Sequence, residues 1–313
     1  MTLENQVITL VRLVLITLVP YVLAAQGTML GGRTGVFSVA QEGIMLAAAS
    51  IGFLAAYHLG GLMYGALAAI LLGGLVGLLL AYFTTSLKMD QFVIGLALFF
   101  ATSGLSTLAY KLSVGVTLKP PLVQTLPNVP IPLLSRIPFL GEMFFNHNVF
   151  VYLAVLVSIF LYWLLYRTGL GLELRAVGEN PLAADSLGIN VTLARYATTI
   201  VGGMLMGLAG VYLPFAYTGT FTEDIVRGRG WLSIALTFFG GWSPHFIFLG
   251  AFFFAGVEVL AFRAQVTDIG IPYQFLLMLP YVATILVMIP GFRWARVPAF
   301  LGKNYDREKR GIV

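Results

Sequence analysis

The chain has 313 residues, of which 59% are hydrophobic and 10% charged; 18 basic against 13 acidic side chains leave a net charge of +5. Soluble domains carry about 25% charged residues, so this composition excludes an ordinary water-soluble globular protein and points to a chain solvated by lipid. The absence of cysteine excludes disulfides, thiolate metal sites and thiol chemistry, and the basic excess sits in loops and at the C-terminus, as membrane topology rather than nucleic-acid binding would have it.

The first apolar run covers residues 7–25. No basic residue precedes Arg12, and Arg12 and Pro20 interrupt the run. A cleaved signal peptide has a basic start and a clean apolar stretch, so this run is read as a retained first span. Further runs follow at 36–57, 60–83, 90–110, 149–166, 196–217, 231–262 and 273–290, each long enough to cross a bilayer. The run at 231–262 is too long for one simple crossing, and Gly240-Gly241-Trp242-Ser243-Pro244 breaks it into two short helices or a kinked or re-entrant pair. The fold expected is all-α: a polytopic transmembrane helical bundle of about eight to ten membrane segments. It forms one membrane domain over residues 1–291, followed by a basic tail at 292–313.

Two inter-span regions stand out. Residues 111–148 hold six of the 14 prolines, which predicts a stiff, extended loop with one short surface helix. Residues 168–195 are polar; Arg167 directly precedes them, and Arg175 and Arg195 lie within them. The tail carries Arg293, Arg296, Lys303, Arg307, Lys309 and Arg310 against Asp306 and Glu308. Basic residues stay on the cytoplasmic side. The tail, its C-terminus and 168–195 are therefore expected there, with 111–148 extracytoplasmic.

Within the polar region, GLELRAVGENPLAADSLGIN contains its own helix signals. Asn180 suits an N-cap and Pro181 the first helical position, where its missing N–H costs nothing. Gly188 suits a left-handed C-terminal cap. The intervening LAADSL makes under two turns, and such a helix is not stable alone in water. It is held by its neighbours, as a plain structured loop, or it docks against a soluble partner.

Gly61, Gly65, Ala69, Gly73 and Gly77 recur every four residues, and Gly203, Gly207 and Gly210 form a similar stripe. Such stripes let helix backbones touch in lipid and predict a tight bundle rather than a pore. Charges at membrane depth face a bundle interior or a water path. Glu42 and Glu258 are the candidates; Ser38, Gln41, Glu42 and Met45 are spaced for one helix face. Each carboxylate either lines a polar path or makes a buried bond that fixes helix register. His58, His147 and His245 lack ligand spacing, so no metal site is expected. The sequence has no GxxxxGK[ST], HExxH or GxSxG pattern. No catalytic residue and no cofactor is expected.

Three stretches resemble a known family. Residues 33–46, RTGVFSVAQEGIML, are similar to a segment R-S-G-V-x-N-[LI]-G-x-E-G-x-M-L. LRAVGENPLAADSLGIN with Arg195-Tyr196 resembles a cytoplasmic coupling segment. GRGWLSIALTFFGGWSP, FLLMLPYVATILVMIPG and PAFLGKNYDRE resemble the C-terminal third. The family is that of the permease subunits of ATP-binding-cassette (ABC) importers in the branched-chain amino acid, ribose and nucleoside group. Within it the chain looks like the shorter permease of the simple-sugar and nucleoside branch.

The resemblance implies a multi-pass subunit of a bacterial or archaeal plasma membrane, importing a nucleoside or simple sugar. Its implied partners are a second, paralogous permease, a cytoplasmic ATP-binding subunit that hydrolyses the ATP, and an extracytoplasmic substrate-binding lipoprotein. Coupling would fall to Gly178, Glu179, Asn180, Pro181, Ala184, Leu187, Gly188 and Ile189, and the solute path to Ser38, Gln41, Glu42 and Glu258. Ser38 and Ala40 depart from the pattern, which has Asn and Gly there, and this bears on ligand identity. A rival is an ion-gradient-driven secondary transporter with Glu42 and Glu258 as proton sites; no internal repeat of the kind many such folds show is visible.

Overall fold

A computed structural model describes residues 3–115, 119–266, 272–291 and 296–306. Of the tail's basic residues, Arg293, Arg307, Lys309 and Arg310 lie outside the described residues. The fold is an all-α bundle, as its apolar runs predict. The long helices are α1 (Leu3–Arg33), α2 (Gln41–Leu59), α3 (Leu62–Ala81), α4 (Gln91–Val114), α6 (Val149–Arg167), α9 (Val191–Leu213), α11 (Pro244–Val266) and α12 (Tyr273–Gly291). Four shorter ones are α5 (Leu140–Phe144), α7 (Gly169–Glu179), α8 (Pro181–Ser186) and α10 (Arg229–Phe239). Among the described residues, α1 to α4, α6, α9 and α11 are long and apolar enough to cross a membrane. With α12 and the short α10, the segment number falls in the expected range.

Several boundaries differ from the sequence reading. Helix α1 runs on through Gly27 and Gly31 to Arg33, carrying Pro20 in its interior. Helix α2 begins at Gln41, not near 36. Turns of π-helix, Tyr82–Ser86 and Pro214–Thr218, prolong α3 and α9. The break at residues 240–243 separates α10 from α11.

The core is a layer of α1, α2, α3 and α9. Its contacts are made by backbone. A Cβ placed at Gly73 would collide with the Gly203 carbonyl, and one at Gly203 with the Gly73 carbonyl; Gly27 and Gly202 stand in the same relation between α1 and α9. Lipid tails are as apolar as leucine, so helices in a bilayer gain by close van der Waals approach, and small residues permit it. The glycine stripes are this interface.

The two ends of the bundle are unlike. At one end, residues 119–147 carry a short antiparallel pairing of β1 (Val129–Pro130) with β2 (Asn146–His147) and the α5 turn. The start of α1 lies at this end, where Arg12 pairs with Glu142 at 3.7 Å. At the other end, α7, α8 and residues 296–306 pack together: Phe300 N donates to Gly178 O at 2.9 Å.

Candidate functional site

Two helices begin inside the bundle instead of at its ends. After α1, residues 34–40 turn back into the protein without helix. Gly35, at φ +89°, makes the turn, since the left-handed region is open to glycine without steric cost. Ser38 lies in this segment, so it does not share a helix face with Gln41, Glu42 and Met45 as the spacing predicted. Its Oγ accepts from Ala40 N at 3.1 Å, a local bond of the kind that competes with helix. Gln41, fully buried, donates to Thr28 Oγ1 at 3.0 Å and Ser38 O at 2.8 Å.

Helix α10 supplies the other interior start. The first N–H groups of a helix have no partner within it. Here the Glu42 carboxylate accepts from Gly228 N and Gly230 N, both at 2.7 Å. It thereby also meets the positive end of the helix dipole. The Gly-Arg-Gly sequence is required by this contact: Gly228 sits at φ +76°, and a Cβ on Gly230 would strike Glu42. Between the glycines, Arg229 Nη2 lies 2.6 Å from Glu258 Oε1. Tyr21 donates to the other Glu258 oxygen at 2.9 Å, and the guanidinium lies 5.9 Å from the Tyr217 ring centroid.

Glu42 and Glu258 are thus brought to one locus, residues 228–230, from α2 and α11. One carboxylate takes the backbone of the turn and the other its side chain. Sequence reasoning missed Arg229, Tyr21 and Tyr217. Arg229 falls two residues ahead of the apolar run at 231–262 and reads as a loop residue; only its place in GRGW could have flagged it.

Beside this cluster, Ser38, Thr28, Thr199 and Met206 help line a void of about 10 Å³, at the lower limit for one water. Arg227 is exposed, and Trp231, one turn on, is 39% exposed with its ring set edge-on to Phe99 at 5.3 Å.

The second locus is the α7–α8 end. Helix α7 was not foreseen; the sequence shows α8. Asn180 Oδ1 accepts from Ala183 N at 3.0 Å, and Pro181 holds the first position. At the other terminus, Gly188 N donates to Asp185 O and Ile189 N to Ala184 O, with Gly188 at φ +85°. This is a Schellman closure, in which a left-handed glycine lets two further N–H groups reach back.

The closure also fixes which side chains face outward. Ala184 is buried with Val177 and Val191, and Ile189 packs on them. Ala184, named above among the coupling residues, does not face solvent, because a Schellman closure brings the residue after the glycine onto that turn. Pro181 and Gly178 are buried too. A Cβ on Gly178 would strike the Arg33 carbonyl. Ala183, Ser186, Leu187 and Asn190 form the exposed strip, with Leu187 80% exposed. Glu179 is exposed and accepts from Ala299 N at 3.2 Å. Lys88, Asp185, Gly188, Asn190, Tyr305 and Asp306 are among the residues lining an adjacent cleft of about 410 Å³.

Comparison with known proteins shows the family. Residues 10–289 match the family described as branched-chain amino acid transport system / permease component. The chain is 30% identical to the guanosine ABC transporter permease protein NupQ of Bacillus subtilis, over 93% of this chain and 94% of that one. It is also 30% identical to a Haloferax volcanii protein named "Putative glucose ABC transporter permease protein TsgC13", over 91% of this chain and 94% of that one. With the nucleoside ABC transporter permease protein NupC of Lactococcus lactis it shares 40% identity over 57% of each chain.

Proposed function

Since this chain belongs to the permease-component family of branched-chain amino acid transport systems, in its nucleoside and sugar branch, we propose that it forms half of the membrane passage of an importer for a nucleoside or simple sugar. Separate cytoplasmic ATP-binding subunits drive it, a second, paralogous permease completes it, and an extracytoplasmic binding lipoprotein feeds it. The membrane is the plasma membrane of a bacterium or archaeon. The carrying observation is α8: a six-residue helix capped at both ends, held on α7 and α9 through Ala184, and presenting Leu187 to solvent. An apolar side chain on so short and well-fixed a helix supports docking to a soluble subunit.

In this reading the α7–α8 end and the tail face the cytoplasm, and 119–147 face outward. Ser38, Gln41 and Glu42 line the solute path beside α10, and Glu258 acts there by holding Arg229. In the coupling set, Leu187 and Gly188 touch the ATP-binding subunit. Glu179 and Asn180 frame that contact, and Gly178, Pro181, Ala184 and Ile189 hold the helix in place. ATP acts by favouring one conformation of the passage, as any ligand with unequal affinity for two states does.

The test is reconstitution of the permease pair with its ATP-binding subunits in vesicles, with solute-loaded binding protein added and labelled guanosine and glucose as probes. ATP hydrolysis stimulated by loaded binding protein, with uptake insensitive to ionophores, is expected. Uptake that needs no ATP and collapses with the ion gradient would support a secondary transporter and overturn this reading.

A further inference from the structure

Residues 299–306 contact α7, the 34–40 segment, α9, α4 and the loop that precedes α4. Ala299 N and Phe300 N bond Glu179 and Gly178 at the end of α7. Gly302 N donates to Gly35 O at 3.1 Å. The Lys303 carbonyl accepts from Arg195 Nη2 on α9 at 3.2 Å and from Gln91 Nε2 on α4 at 3.4 Å. Asn304 Nδ2 donates to Lys88 O and Met89 O, and Asp306 pairs with Lys88 at 2.8 Å.

Arg195 is the centre of this arrangement. It is 1% exposed, and burial of a guanidinium is costly unless its donors are used. Its Nε donates to Thr34 O at 3.1 Å, its Nη2 to Lys303 O, and its charge lies 5.8 Å from the Phe300 ring centroid. One flat, forked cation thus joins the tail to the start of the extended segment. Gln91, also buried, repeats the device: its Oε1 accepts from Phe37 N at 2.7 Å while its Nε2 holds Lys303 O and Asn304. From Thr34 and Phe37 it is one to eight residues to Ser38, Gln41 and Glu42.

We propose that residues 298–306 are a strap that moves as one body with α7, α8 and residues 34–37 and 88–91, and that Arg195 is the positioning residue through which displacement of the coupling helices reaches the Ser38–Glu42 segment. The proposal rests on the coupling role given to α8 above. A tail present only to protect the bundle end would need contact with that end. It would not need a buried arginine on its backbone that also grips the segment leading to the interior.

The chain has no cysteine, so Phe37→Cys provides a single reporter beside the strap. In the reconstituted complex, its labelling by a hydrophilic maleimide is followed with and without ATP. The parent reporter is expected to change rate at least threefold with ATP. With Arg195→Gln added, the complex should assemble and hydrolyse ATP, yet the change and the uptake of labelled guanosine or glucose should both fall about tenfold. Arg195→Lys, which keeps the charge but cannot reach two diverging carbonyls, should fall between. An undiminished ATP-dependent change in Arg195→Gln would overturn the proposal. Should that variant not assemble, Lys88→Cys with Asp306→Cys, joined by a short bis-maleimide, decides: uptake within twofold of the unlinked protein is expected, and its loss on linking would overturn the strap. A parent reporter blind to ATP during hydrolysis would remove the coupling reading itself.

Discussion

Arg229 and Glu258 meet at 2.6 Å in the first turn of α10, with side chains 13% and 27% exposed. Removing one partner of such a pair leaves the other charge with poor solvation, at a cost of about 3–5 kcal/mol. Glu258→Leu alone should therefore lower the melting temperature of the purified protein markedly. Arg229→Met with Glu258→Leu should recover most of the loss, since an apolar pair of similar volume replaces a buried ion pair at little cost. A double variant as unstable as the single one would contradict this account.

Glu42→Gln should lower uptake while leaving assembly intact. One oxygen still accepts from the α10 start, but an amide NH₂ then faces a backbone N–H. A hydrogen bond to a charged group contributes about 1.5–3 kcal/mol. Uptake by the reconstituted complex and gel filtration of the subunit check the two halves of the expectation; wild-type uptake would mean that the bond does not hold α10.

Leu187→Glu and Ala184→Arg should fail differently. Leu187 is 80% exposed and Ala184 is 1% exposed. The first variant should keep the thermal stability of the subunit and lose co-purification with the ATP-binding subunit. The second should destabilise the α7–α8 end, because an unpaired arginine is forced against Val177 and Val191. Equal loss of stability in both would contradict the assignment of faces.

Gly188→Val should weaken coupling without any steric clash. No atom lies within 4 Å of a Cβ built at Gly188, yet its φ is +85°. The left-handed conformation costs an ordinary residue roughly 1–2 kcal/mol. Gly188→Asn, which visits that region more readily, should retain most stimulation of ATP hydrolysis by loaded binding protein.

Gly73→Leu should abolish folding, and Gly256→Ala should not. A Cβ at Gly73 collides with the Gly203 carbonyl, whereas one at Gly256 has nothing within 4 Å. Removing glycine from a helix interior gains about 0.5–1 kcal/mol, so the second variant should melt slightly higher. Expression and thermal melting in detergent separate the two.

The spans were legible because each carries a long, mostly apolar run, and α8 because Asn180, Pro181 and Gly188 are local signals read within a few residues. The interior starts of α2 and α10 were not legible. Apolar content is the same in helix and in the extended segment 34–40, and what ends the helix there is Gly35 together with Gln91 on α4, a partner 54 residues away. Arg229 was hidden for the same reason: its place follows from Glu258 on α11 and from the Glu42 contact to the glycines beside it, not from local sequence signals. The burial of Ala184 was not legible either, because a short polar segment looks uniformly wet until its turn closes.

Helix α10 has one more consequence, for the order of biogenesis. Its 11 residues extend about 16 Å, roughly half the hydrocarbon thickness. It cannot partition into lipid as an independent span, and its opening N–H groups would have no acceptor there. The acceptor is Glu42, made some 190 residues earlier and carried by α2. The C-terminal third therefore settles onto an N-terminal layer that is already in the bilayer, and loss of Glu42 should leave α10 as the segment that arrives last and is first exposed to membrane proteases.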